Sequence, residues 1–133
     1  MQKPISPIAA LLAVLAAFPA MAAPPPPNIA DIDLPQDKPQ HASVFVREFP
    51  VGGSSGWHVH PGVEVGYLLN GEMTLEEEGK PVRRLLPGDG FAVPRGVPHV
   101  GVNVGREPAR LVITYLLDKD APSRVPVPAP HGH

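Results

Sequence analysis

Two histidines stand one residue apart at His58 and His60, a glutamate follows at Glu64, and a third histidine stands at His99. The first three lie in "GWHVHPGVEVGYLLNG", Gly56 to Gly71, a stretch that is otherwise mostly apolar. Side chains alternate along a strand, so His58 and His60 share one face and Val59 takes the other. By the same alternation Glu64, Gly66 and Leu68 share a face, and His99, Gly101 and Asn103 share another. Burying three imidazoles and a carboxylate without partners is costly. One divalent cation satisfies all four. Neutral imidazole and carboxylate suit Fe, Mn, Co, Ni, Cu or Zn and do not select one of them. The chain has no cysteine, which excludes thiolate ligands and disulfides. Solvated edge-strand histidines would account for the His-x-His pair alone but not for Glu64 and His99. Gly66 and Gly101, beside ligand positions, are expected to leave room for a substrate or for coordinated water.

These residues need strands to position them, and the surrounding pattern supplies strands. Short apolar runs alternate with Gly and Pro turns, and no stretch keeps a helical period. The runs are "ASVFVREF", "GWHVH", "VEVGYLLN", "EMTLEEE", "PVRRLL", "GFAVP", "HVGVNV" and "ARLVITYLL". Many short, evenly spaced strands predict an all-β sandwich or barrel. Asn70-Gly71 predicts a two-residue hairpin, and the acidic run Glu76 to Glu78 predicts a solvated hairpin tip.

The 133 residues suffice for one domain and not for two. At the start, Lys3 precedes the apolar run "IAALLAVLAAF", Ile8 to Phe18, and then "AMA", Ala20 to Ala22. This is the pattern of a secretory leader over 1–22, so a periplasmic or secreted protein is expected, with no membrane association after cleavage. Residues 23–40 read as a Pro-rich arm, 41–119 as the barrel, and 120–133 as a flexible Pro- and His-containing tail. The formal net charge of −2 comes without any basic cluster, which argues against nucleic acid as a partner.

The two histidine stretches resemble the cupin superfamily. Its first motif is Gly, five residues, His, one, His, three or four, Glu, six, Gly. Here it is Gly52, "GSSGW", His58, Val59, His60, "PGV", Glu64, "VGYLLN", Gly71. Its second motif is Gly, five residues, Pro, one, Gly, two, His, three, Asn. Here it is Gly88, "DGFAV", Pro94, Arg95, Gly96, "VP", His99, "VGV", Asn103. No fixed position departs from either pattern, and the match runs from Gly52 to Asn103. The resemblance implies a conical β-barrel, a double-stranded β-helix of the jelly-roll kind, with one divalent metal held by His58, His60, Glu64 and His99. It implies structural roles for Gly52, Gly71, Gly88, Pro94, Gly96 and Asn103.

Cupins share a fold and differ in chemistry, so the fold alone licenses no reaction. Small cupins with this ligand set are often dioxygenases, which makes a small-molecule oxygenase the leading expectation. A non-catalytic barrel binding a sugar or small effector is the second, and a metal-dependent isomerase or lyase the third. Cupin lyases acting on dimethylsulfoniopropionate have a tyrosine two residues after the glutamate, where this chain has Gly66. Cupin hydroxynitrile lyases tend to have Gln at the position of Glu64. Both departures weaken the lyase reading. Alternation puts one of Thr114 and Tyr115, and one of Arg47 and Glu48, toward the cavity, without saying which. Arg83, Arg84 and Arg95 are candidates for the rim. Val59, Val65, Tyr67, Leu69, Val100, Val102 and Val104 form apolar rows on the non-ligand side, and a homodimer is expected to cover them.

Overall fold

The computed structural model describes residue 32 and residues 39–130. The expected leader, most of the Pro-rich arm, and His131 and His133 lie outside the described residues. Within them are nine strands: β1 Gln40–Phe49, β2 His58–Val59, β3 Gly62–Asn70, β4 Met73–Glu77, β5 Arg83–Leu85, β6 Gly90–Val93, β7 His99–Asn103, β8 Ala109–Asp118 and β9 Val125–Pro126. They form two antiparallel sheets, one ordered β1-β8-β3-β6 and the other β5-β4-β7-β2-β9. No helix is present among the described residues, and the all-β jelly-roll barrel expected from the sequence is what the chain adopts.

Alternation explains the core. On β3 the inward positions Glu64, Gly66 and Leu68 are buried, while Val65 and Tyr67 are only half-buried and Leu69 is exposed. On β8 the buried positions are Ala109, Leu111, Ile113 and Leu117. Leu68, Ala109, Leu111 and Ile113 join Phe49, Met73, Leu75, Leu85, Phe91 and Val93 in one core cluster between the sheets. Apolar burial of this kind supplies most of the folding free energy.

Three expectations need correction. Asn70-Gly71 does not close a hairpin, because β3 and β4 belong to different sheets. Gly71 takes φ +88, and a Cβ there would stand 2.6 Å from Ala109 Cα, so the corner needs glycine on both counts. The acidic run is not wholly solvated either. Alternation on β4 turns Glu77 inward with Met73 and Leu75, and its carboxylate is met by Lys80 Nζ at 2.6 Å. Finally, the segment read as a free tail from 120 onward contains β9, which pairs with β2 through His58↔Pro126 and Val59↔Val125. Proline is tolerated there because β9 is the edge of its sheet.

Asn103 shows why the second motif ends as it does. It is 1% exposed. Its Nδ2 lies within hydrogen-bond distance of the Phe49, Pro50 and Glu107 carbonyls, and its Oδ1 accepts from Gly105 N–H. One side chain thus ties the end of β1 and the β7–β8 loop to β7. Asn103→Ala leaves those buried backbone groups unpaired and is expected to cost about 2–4 kcal/mol. Thermal unfolding checks this, and a Tm within a degree or two of wild type would contradict it.

Candidate metal centre

Four side chains converge between the sheets. His58 on β2 and His99 on β7 are direct cross-strand partners. His60 follows β2 by one residue, and Glu64 reaches in from β3 in the opposite sheet. All four are buried, and their ligand atoms lie within 4.8 Å of one another. The imidazole centroids are 4.2 Å apart for His58 and His99, 4.8 Å for His58 and His60, and 5.2 Å for His60 and His99.

The backbone fixes which nitrogen faces the centre. His58 Nδ1 lies 2.8 Å from Gly56 O, His99 Nδ1 lies 2.9 Å from Val97 O, and His60 Nδ1 contacts Ser123 O. A carbonyl oxygen can only accept, so each Nδ1 carries a proton. In the neutral imidazole each Nε2 then presents a lone pair. Glu64 Oε2 stands 2.8 Å from His60 Nε2 and 3.1 Å from His99 Nε2. Lone pairs facing at that distance repel, so a positive charge belongs among them, either protons or a metal ion. A cation satisfies the nitrogens and the carboxylate together, and Nδ1–H bonds to carbonyls are the outer support that orients histidine ligands. The donor set fits a divalent transition metal.

Electrostatics agree. Burial drives His58 down to about 4, against the opposing pull of the Gly56 carbonyl and with help from His99. Burial pushes Glu64 up, but the His60 and His99 imidazoles beside its carboxylate overcome it and bring the carboxyl to about 2. Both shifts make the metal-free protein sensitive to acid. His58 titrates lower folded than unfolded, so the unfolded chain binds more protons between pH 6.5 and about 4. Stability present above pH 6.5 is lost as pH falls through that window, and Glu64 adds a loss from 4.5 toward about 2. Urea unfolding of the metal-free protein is expected to show a lower midpoint at pH 5 than at pH 7.5. An equal or higher midpoint at pH 5 would contradict this.

A cavity of about 40 Å³ adjoins His58, Glu64 and His99, space for roughly three waters. Phe49, Phe91 and Ile113 line its apolar side, and Arg47, Tyr115 and Arg124 its polar side. The pairing of β3 with β8 sets Tyr115 opposite Glu64 and so selects Tyr115 over Thr114 as the inward residue. Its ring centroid is 4.6 Å from that of His60. Burial, then the Glu64 charge, push the Tyr115 hydroxyl up to about 12, against the pull of Arg47 and Arg124. It therefore keeps its proton at neutral pH and can donate it in a hydrogen bond.

Both Arg47 and Glu48 are exposed, but Arg47 lines the cavity, on the side of buried Phe49, while Glu48 lies 3.8 Å from Arg110. Arg124 was not apparent from the sequence, because it sits in the stretch read as a tail. Its nearest signal was the single Ser-Arg pair breaking a Pro-rich run. The three arginines expected at the rim are engaged elsewhere. Arg95 forms a two-pronged pair with Asp118 at 2.7 and 2.8 Å, Arg84 meets Glu72 at 2.7 Å, and Arg83 donates to Gly90 O at 3.0 Å. The space beside Gly66 is not substrate space. A Cβ there would stand 2.2 Å from the Phe91 ring, so the glycine makes room for Phe91. Of the expected apolar rows, Val100 is buried, while Leu69 and Val104 are exposed.

Comparison with known proteins agrees with this architecture. The chain is 33% identical over 89 residues to oxalate oxidase GF-3.8 of Triticum aestivum, covering 61% of this chain and 39% of that protein. It is 34% identical over 76 residues to germin-like protein 3-5 of Oryza sativa subsp. japonica, covering 51% and 34%. The chain thus spans less than half the length of these relatives. Among solved structures, a recombinant oxalate oxidase in complex with glycolate superposes with a TM-score of 0.57 and 28% identity, covering 64% of this chain and 45% of that one. The DMSP lyase DddQ of Ruegeria pomeroyi DSS-3 superposes with a TM-score of 0.59 and 30% identity, covering 69% and 45%. The family described as "Cupin domain" matches residues 45–115, more than half of the chain. Two antiparallel sheets closed around a three-histidine, one-glutamate group, within a stretch that matches this family, make the chain a member of the cupin family.

Proposed function

We propose that this cupin coordinates one divalent transition metal through His58, His60, Glu64 and His99 and uses it in an oxidase- or dioxygenase-type reaction on a small molecule. The observation that carries the reading is the set of three Nδ1–carbonyl contacts, which leave three Nε2 atoms for one centre shared with Glu64. The similarity to oxalate oxidases supports an oxidising role. A bound redox-active metal would supply electron transfer to or from oxygen. The protein's own contribution is to orient the ligands, to exclude bulk water with the apolar wall, and to offer the Tyr115 hydroxyl as a donor. The test is oxygen uptake by protein loaded with Fe or Mn, with glycolate and oxalate as trial substrates. Uptake coupled to substrate loss, and abolished in Glu64→Gln, supports the reading. Substrate loss without oxygen would replace it with the lyase reading.

That lyase reading has its own support in the likeness to DddQ and in Tyr115 beside His60. Against it, Phe91 occupies the space next to Gly66, where such lyases carry a tyrosine. The cavity's size does not favour a sugar ligand.

The run from Lys3 to Ala22 supports export of the protein. A homodimer is supported by Val44 and Val46, which are 67% and 53% exposed on the edge strand β1.

A further inference from the structure

The polar side of the cavity carries two guanidinium groups from distant parts of the chain. Arg47 comes from β1, and Arg124 is delivered by the segment that leads into β9. Among the described residues, neither has a carboxylate partner within ion-pair distance. Arg124 Nη2 donates to Ser55 O at 2.6 Å, which anchors the head at the cavity wall and commits one of its five donors. The Arg47 guanidinium lies 5.1 Å from the centre of the Phe49 ring. Such stacking holds the planar group in place without using its N–H donors. Among the described residues Glu64 is the only acidic one lining the cavity, and it belongs to the candidate metal group. Arg47, exposed at the cavity mouth, and Arg124, half-buried, set positive charge beside the metal-binding centre, and a positive cavity mouth with apolar walls concentrates anions. The small volume restricts the anion to a few heavy atoms. The planar forks of arginine match a carboxylate in particular.

We propose that Arg47 and Arg124 form a carboxylate-binding pair, so that the substrates of this cupin are small organic acids whose carboxylate is held between the arginines and the metal centre. This rests on the metal reading for what happens to the bound acid, but not for the binding itself. Arg47 and Arg124 both line the cavity, and neither is one of the four candidate ligands. Specificity for acids therefore depends on Arg124, and Arg124 depends on the segment after β8 that brings it there.

The test is calorimetric titration with glycolate, with its neutral amide glycolamide, and with inorganic phosphate. It uses the full chain in metal-loaded and metal-free form, with metal content measured in the same samples. Arg47→Gln and Arg124→Gln are each expected to weaken glycolate by about tenfold, and the double variant by about a hundredfold. Glycolamide affinity and metal content are expected to stay unchanged. Arg124→Lys, which keeps the charge and loses the fork, is expected to fall between wild type and Arg124→Gln. Thermal unfolding of every variant separates binding from folding, and Arg47→Gln stands apart from the Ser55 contact. Unchanged glycolate affinity in the folded variants would overturn the proposal. So would tighter binding of phosphate than of glycolate, or no glycolate binding by wild type in either form. Arginine-dependent glycolate binding by a protein that takes up no metal would support the pair and remove the metal reading.

Discussion

A His58→Ala, His99→Ala double variant is expected to fold and to retain no metal after dialysis, while wild type retains close to one equivalent per chain. The two histidines are cross-strand partners on β2 and β7, so their removal takes both ligands from one sheet. His60 and Glu64 remain, and two ligands do not hold a transition metal against dialysis. Affinity should fall by at least a thousandfold, on the order of 4 kcal/mol or more. The fold should survive, because the backbone contacts of these imidazoles are local, at Gly56 and Val97, and the contact of His99 with Glu64 lies within the four-residue group itself. The core of leucines, valines and phenylalanines lies elsewhere. Wild type should also gain thermal stability on adding metal, by about 2.7 kcal/mol at a hundred times Kd, and the double variant should gain none. A metal-dependent rise in Tm that persists in the double variant would place the binding elsewhere.

Truncation after Asp120 is expected to weaken metal binding as well, although it removes none of the four candidate ligands. The lost segment carries Ser123, whose carbonyl contacts His60 Nδ1, and β9, which covers the open edge of β2. It also carries the Val127 N–H bond to Trp57 O. Without the carbonyl, His60 is free to change tautomer and ring orientation. Loss of such a support weakens metal binding by roughly 10- to 100-fold. Metal titration of the truncated chain measures this directly. Affinity equal to wild type would show that His60 is held by β2 and Pro61 alone.

The truncation also marks where reading the sequence stopped short. The strands that carry the four candidate ligands were legible, because apolar alternation and Gly-Pro turns give each one a face and an end. The four converging residues were legible because their spacing is constrained by two motifs. The phase of β1 and β8 was not, since alternation says that neighbours differ and not which one faces in. That choice is made by pairing, with Tyr115 opposite Glu64 across β3 and β8. β9 was hidden by composition. A two-residue strand that contains proline carries no strand pattern of its own and exists only because β2 offers it an edge. Arg124 was hidden with it. Asn70-Gly71 misled for a related reason. Its glycine serves a turn of positive φ, but which sheet the chain enters next is decided by the packing of both sheets.

Whether His58, His60, Glu64 and His99 hold a metal is read most directly by elemental analysis of the untagged protein purified without added metal. Close to one equivalent of a divalent transition metal per chain is expected, lost in the His58→Ala, His99→Ala variant. A folded wild-type protein whose metal content does not exceed that of the variant would contradict that expectation.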